Sequence, residues 1–344
     1  MKCLLTIIGL SVGIGTTCPS TCCLLMQHHL SPQAGSYAPL CENVSCGLND
    51  TYANLYNVTL RKVFDDIQGK ELITMPYKMG EYYEQVDDYD LEYQSQSEQD
   101  LPFWRELLTR YAPEHVLELA CGSGRIGLDA LHLPGTFLLE GLDVDKGMLQ
   151  AYKRKLASEA EDKRARVTLH EADMVDYDLP NKGAFDLIVL PFNSICHLYE
   201  LEQQFAAFET TFAHLAPGGR FVVDTFLPDI DYLSNALNRP SNVYMEDEIE
   251  SPDGDFTMML YTTRRFDQIE QTQHITWTHE KYFESGENER YLSRLDMHVF
   301  FPRELQMLFL ASGFSIDAIY GDYQWKPLGK GTRQIVVGRK PMAS

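Results

Sequence analysis

From His115 onward the chain alternates short, almost uninterrupted apolar runs with stretches of helical period. "HVLELA" (115–120) stops at glycines, and "GRIGLDALHL" (124–133) then resumes with apolar positions at helical spacing. "TFLLEGLDV" (136–144) is a second apolar run, after which Met148, Leu149, Tyr152 and Leu156 recur one helical turn apart. "RVTLHEAD" (166–173) and "FDLIVLPF" (185–192) predict a third and a fourth strand. Phe205, Phe208, Phe212 and Leu215 then mark a helix, which Pro217-Gly218-Gly219 turns into a fifth strand, "RFVVDTF" (220–226). Strands that read as continuous Val, Ile and Leu runs are buried on both faces, so the pattern predicts a parallel sheet covered by helices. Right-handed crossovers make it doubly wound.

After Phe226 the period changes. Residues 256–266, 272–283 and 289–299 alternate polar with apolar or aromatic positions, and Ser285-Gly286-Glu287-Asn288 is a turn between two of them. This predicts an antiparallel meander inserted over 240–300, placed to act as a lid. A last helix (302–314) opens on Pro and closes at Gly313. Residues 315–323 and 333–340 supply two closing strands. The expected architecture is therefore α/β: a doubly wound, mostly parallel seven-stranded sheet with an antiparallel insertion, in a domain spanning 79–340.

Composition narrows the partners. With 44% hydrophobic residues in 344, a sizeable core is available. The formal net charge of −21 argues against nucleic acid, which needs a basic face, and favours a cationic or neutral small molecule. The partners expected are a small-molecule substrate and at most a second copy of the chain in a homodimer, with no nucleic acid and no membrane.

Residues 1–78 read differently. Six of the eight cysteines (Cys3, Cys18, Cys22, Cys23, Cys41 and Cys46) lie here, behind a signal-like start, "MKCLLTIIGLSVGIG". Glycosylation sequons begin at Asn43, Asn49 and Asn57. The segment lacks sustained periodicity and is expected to be a poorly structured extension. It points to the secretory pathway, against the cytoplasmic location expected of the body. Cys121 and Cys196 stand singly in apolar runs, so no metal site is expected.

The chemistry concentrates at the ends of the predicted strands. Ligands of open α/β sheets bind beyond the carboxyl ends, where the strand order reverses, so the turn Cys121-Gly122-Ser123-Gly124 faces a ligand. Gly122-Ser123-Gly124-Arg125-Ile126-Gly127 matches the dinucleotide pattern G-x-G-x-x-G formally, and a nicotinamide cofactor would use a similar device. Three acids argue otherwise. Glu118 sits inside the first strand, where it can anchor an ammonium. Asp143 ends the second strand and can accept both ribose hydroxyls. Asp173 ends the third and can accept from an adenine amine, with Val144 and Met148 against the ring faces.

Taken in order, "VLELACGSGRIGL", "LEGLDVDKGML", "HEADMVDYDL", "FDLIVLPFNSICHL" and "LAPGGRFVVDTF" resemble the successive motifs of class I S-adenosylmethionine-dependent methyltransferases, over residues 89–340. The meander and "RLDMHVFFPRELQMLFLASGFSIDAIYGDY" resemble the small-molecule branch that methylates glycine and amino sugars on nitrogen. The resemblance implies S-adenosyl-L-methionine as cofactor, with Glu118, Ala120, Gly122 and Gly124 around its methionine end and Arg125 among the cofactor-binding residues. It implies Asp143 at the ribose, Asp173 and Met174 at the adenine, and Phe192, Asn193 and Ser194 beside the sulfonium.

Methyl transfer from a sulfonium is an in-line displacement that positioning and desolvation can drive. Candidates for a base or orienting group are Tyr89, with Tyr93 beside it, His197 and Asp224. Trp277, Tyr282, Tyr291 and Arg294 are candidates for the lid. Two other readings remain at this level. One is a non-catalytic or secreted binding protein on this fold; the other is a nucleic-acid methyltransferase, against which the acidic balance and "PFNS" both speak.

Overall fold

The computed structural model describes residues 81–135 and 137–342. The signal-like start, the sequons and the boundary at residue 79 lie outside the described residues. A short 3-10 turn (Glu81–Glu84) leads into α1 (Val86–Glu92) and α2 (Gln94–Tyr111). The sequence pattern gave no sign of α1, because "EYYEQVDDYDLE" carries acids and tyrosines in place of an aliphatic stripe.

The alternation then unfolds as β1 (His115–Leu119), α3 (Arg125–Ala130), β2 (Leu138–Asp143), α4 (Lys146–Leu156), α5 (Glu161–Arg164), β3 (Val167–Glu171) and β4 (Phe185–Leu190). It continues through α6 (Leu201–His214), β5 (Leu215–Phe226) and α7 (Ile230–Asn238). Next come β6 (Tyr244–Glu250), β7 (Phe256–Asp267), β8 (Thr272–Phe283) and β9 (Asn288–His298). Then α8 (Pro302–Ala311), β10 (Ser315–Tyr320) and β11 (Arg333–Arg339) close the chain.

The main sheet has seven strands in the order β10-β11-β5-β4-β1-β2-β3. β1 to β5 pair in parallel, and β11 runs antiparallel between β5 and β10. Residue parity builds a core on each face. Leu117, Ile188, Phe221 and Phe309 pack on one side, whereas Val116, Leu187, Val222 and Trp104 pack on the other. Local chemistry fixes where helices begin: the Asp145 carboxylate caps α4 by accepting from Met148 N at 2.8 Å, and Asp229 caps α7 through Asp231 N and Tyr232 N.

Two boundaries differ from the expectation. β5 begins at Leu215, before the Pro217-Gly218-Gly219 turn, because a shift in its register with β4 absorbs the turn at Gly218, φ +82°. The insertion is a separate four-stranded antiparallel sheet, β6-β7-β8-β9. Its extra strand, "YMEDEIE", lies at the edge and is largely exposed, and a row of acids suits an edge that must not recruit further strands.

The two turn glycines have different neighbours. Gly124 has φ +88°, and a Cβ added there would lie 2.4 Å from the ring of Tyr152, a fully buried side chain of α4. Gly122 has φ +54° but open space where its Cβ would be. In Gly124→Ala, left-handed strain of about 1–2 kcal/mol combines with about 1–3 kcal/mol of overpacking. In Gly122→Ala only the strain remains, so urea titration should show a loss of stability about twofold larger for Gly124→Ala. Equal losses would contradict the packing role of Tyr152.

Candidate active site

The strand order reverses between β1 and β4, and the loops after β1, β2, β3 and β4 form the floor of a cavity of about 460 Å³. Tyr83, Tyr89 and Tyr93 contribute a second wall. A third comes from one face of the small sheet: Gln273, Ile275 and Trp277 are alternate residues of β8, and Leu295 and Met297 of β9 pair with Ile275 and Gln273.

Most of the residues expected at a cofactor border this cavity. Glu118, Ala120, Gly122 and Arg125 follow from β1, and Asp143, Val144 and Met148 from β2. Asp173 and Met174 lie beyond β3, and Phe192, Asn193 and Ser194 beyond β4. Gly124 does not border it; the body that closes on its backbone is Tyr152. Ala120, Phe192 and Asn193 have φ of 52°, 50° and 65°, so the floor is built from sharply bent backbone at strand ends. These bends are held from below, since Phe192 N donates to Asp224 Oδ2 at 3.1 Å and Asn193 Oδ1 accepts from Phe226 N at 2.9 Å.

The buried carboxylates fall into two groups. Asp143 accepts from Gly122 N and Asp145 N, one on each oxygen, both at 2.8 Å, and burial raises its pKa. Each oxygen keeps a further lone pair. Glu118 is 3% exposed, and its Oε2 has no hydrogen-bond partner among the described residues. Burial pushes its carboxyl up to about 8, against the lowering effect of Arg125. Arg125 itself is committed to Asp100 by two hydrogen bonds of 2.6 and 2.8 Å, so its guanidinium orders the floor and is not a free cation for a ligand.

Asp224 was expected to orient a substrate amine. Its carboxylate instead is fully buried and saturated, by Arg333 at 2.7 and 2.9 Å, Tyr323 OH at 2.9 Å and Phe192 N, and it is not part of the cavity wall. Tyr89 and His197 do border the cavity. His197 Nε2 lies 2.8 Å from Tyr83 OH, and burial lowers its pKa to about 4. The rings of Tyr89 and Tyr93 lie 4.5 Å apart, and Tyr93 meets Phe192 edge-on at 4.9 Å. Burial raises these phenols, that of Tyr93 to about 12. At neutral pH this wall carries no net charge.

Of the small-sheet candidates, only Trp277 lines the cavity; Tyr282 bonds to Glu280, and Tyr291 hydrogen-bonds to Asp88. Arg294 lies outside the lining. Tyr83, Gln273, Ile275, Leu295 and Met297 were not singled out from sequence. For the last four the two-residue period of β8 and β9 was the available signal, although it does not say which face turns inward. No cluster of metal-ligating residues occurs among the described residues, and no helix among them is long and apolar enough to cross a membrane.

The profile of a methyltransferase domain family matches residues 116–219, from β1 into β5. A curated relative, dTDP-3-amino-3,6-dideoxy-alpha-D-glucopyranose N,N-dimethyltransferase of Streptomyces fradiae, is 31% identical over 121 residues, which are 34% of this chain and 42% of that protein. The match thus spans less than half of the relative's length. Among solved structures, an S-adenosylmethionine-dependent methyltransferase from Clostridium acetobutylicum ATCC 824 aligns with TM-score 0.60 at 18% identity, over 76% of this chain and 99% of its own. A sugar N-methyltransferase from Streptoalloteichus sp ATCC 53650 aligns with TM-score 0.59 at 18% identity, over 79% and 98%. Residues 116–219 thus match a methyltransferase domain family, in a chain whose fold is similar to that of a solved S-adenosylmethionine-dependent methyltransferase.

Proposed function

We propose that this protein transfers a methyl group from S-adenosyl-L-methionine to the amine of a small molecule. The observation that carries the reading is the buried carboxyl of Glu118 at the cavity floor, an acceptor suited to an ammonium. When bound, the cofactor supplies an electrophilic methyl on its sulfonium. Glu118 would hold the ammonium of the methionine part, and Asp143, with a lone pair left on each oxygen, the ribose hydroxyls. Asp173, Met174, Val144 and Met148 would hold the base, and the bent backbone at Phe192 and Asn193 would border the sulfonium.

The acceptor would lie against the uncharged wall of Tyr83, Tyr89, Tyr93 and His197. An apolar, uncharged wall disfavours the ammonium form of an amine and strips water from its lone pair, which is the form that attacks. His197, neutral above a pKa of about 4 and hydrogen-bonded to Tyr83, orients the nitrogen. The N-methyltransferase activity of the Streptomyces fradiae relative supports an amine acceptor, and the small sheet over the cavity supports a role for the insertion as a lid. A cytoplasmic location goes with this reading, since the cofactor is made there.

Three measurements test it. Incubation with isotopically labelled methyl donor and a panel of small amines should label one of them, and His197→Phe should lower kcat about tenfold, the value of one positioning hydrogen bond, while S-adenosylhomocysteine affinity is unchanged. Label found only on RNA or protein would overturn the acceptor class.

Calorimetric titration with S-adenosylhomocysteine tests the anchor. A free Glu118 carboxyl with a pKa of about 8 must lose its proton to pair with an ammonium, so affinity should rise as pH is raised toward that value. Glu118→Gln should bind about tenfold to a hundredfold more weakly and lose that slope, since a charge-assisted hydrogen bond contributes about 1.5–3 kcal/mol. Unchanged affinity in the variant would remove Glu118 from the site.

Finally, the full-length protein from a eukaryotic host should show no mobility shift on glycosidase treatment. Glycans at Asn43, Asn49 or Asn57 would place it in the secretory pathway.

A further inference from the structure

The small sheet presents an almost wholly apolar surface to the cavity: Ile275, Trp277, Leu295 and Met297. Gln273 interrupts it. This side chain is 3% exposed, and its Oε1 has no hydrogen-bond partner among the described residues. Leaving an amide oxygen buried and unpaired costs free energy, and an apolar residue of similar size would have avoided that cost.

The backbone beneath it is not free to adjust. β8 is an inner strand, and Gln273 is paired with Phe266 of β7 on one side and Met297 of β9 on the other. The point from which its side chain extends is therefore fixed before any ligand arrives, as a specificity contact requires. Of the charged residues that line the cavity, Glu118, Arg125, Asp143 and Asp173 lie at the ends of β1, β2 and β3 and Asp229 lies in the segment after β5, whereas Gln273 belongs to the small sheet.

We infer that Gln273 is a specificity-determining residue that accepts a hydrogen bond from a hydroxyl of the methyl acceptor. This rests on the methyl-transfer reading above and narrows its substrate to a hydroxylated amine with an apolar face. The amine meets the uncharged wall near His197, the hydroxyl meets Gln273, and the carbon skeleton lies against Ile275 and Leu295. A site built to pair with a hydroxyl discriminates strongly against an analogue that lacks it, since the buried partner is then left unpaired.

The test is a cycle between substrate and variant. Labelled methyl transfer to dTDP-3-amino-3,6-dideoxy-α-D-glucopyranose and to its singly deoxygenated analogues is measured for the wild-type protein, Gln273→Leu and Gln273→Glu, with S-adenosylhomocysteine affinity measured in parallel. Gln273→Leu should lower kcat/KM about tenfold or more for the parent sugar, leaving cofactor-product affinity unchanged. One deoxy analogue should be poor with the wild-type protein and no poorer with Gln273→Leu, an equality that a merely structural role would not produce. Gln273→Glu, which keeps an acceptor oxygen, should recover part of the loss. Unaltered kcat/KM in Gln273→Leu, or an equal loss for every analogue, overturns the role of Gln273 alone. Absence of transfer by the wild-type protein with S-adenosylhomocysteine still bound overturns the hydroxylated-amine acceptor together with it.

Discussion

The site depends on one topological constraint: β1 is flanked by β2 on one side and β4 on the other, so successive crossovers leave it in opposite directions. At the carboxyl ends of these strands the chain cannot cover its own sheet. The gap has to be closed by elements outside the alternating pattern, and two are used. The segment from Tyr82 to Tyr93 closes one side and the small antiparallel sheet the other, and the inner face of β8 serves both. Gln273, Ile275 and Trp277 meet the cavity, while His279 and Lys281, further along the same face, pair with Glu92 at 2.8 Å and Asp88 at 2.7 Å. The N-terminal segment is also tied to the floor, where Ser123 and Lys155 each reach Asp90 at 2.5 Å.

Buried carboxylates distinguish scaffold from site. Asp224 receives hydrogen bonds from a guanidinium, a phenol and a backbone amide, so its burial is fully compensated. It fixes the bend at Phe192 and has nothing left to offer a ligand. Glu118 keeps an Oε2 without a partner among the described residues, and burial pushes its carboxyl up to about 8. Two acids of the same chemistry at strand positions thus stand in opposite environments, decided by their neighbours and not by their place in the chain.

That contrast also explains what could be read from sequence. Apolar runs and glycine turns located β1 to β5, the insertion and the closing strands, because a parallel sheet buried on both faces leaves little freedom in composition. The positions at strand ends followed from topology, so Glu118, Asp143 and Asp173 could be named before any contact was known. Asp224 looked equivalent because its partners, Arg333 and Tyr323, lie about a hundred residues away and carry no local signal. Gly124 carried no sign of its packing partner for the same reason: Tyr152, 28 residues on, occupies the space where its Cβ would be. The charged edge strand β6 and the acidic, tyrosine-rich α1 lack apolar periodicity because both are ordered by their partners and not by their own hydrophobic face.

The acids of α1 then have a physical rationale that the sequence concealed. Breaking one member of a buried ion pair commonly costs about 3–5 kcal/mol, so the Asp88–Lys281 pair, with the Glu92–His279 hydrogen bond beside it, holds the N-terminal segment firmly against the small sheet. Tyr82 adds to the clasp by hydrogen-bonding to Glu92 and packing on Trp277 at 4.6 Å. Because Trp277 borders the cavity and Tyr83 follows Tyr82 directly, the clasp that fixes the cover also fixes the aromatic wall. Charge is therefore concentrated in pairs behind the wall, and the surface turned toward the cavity on that side stays neutral. Such an arrangement holds the cover in place without placing a charge on the cavity surface of that wall, which a cover held by ion pairs inside the cavity could not do.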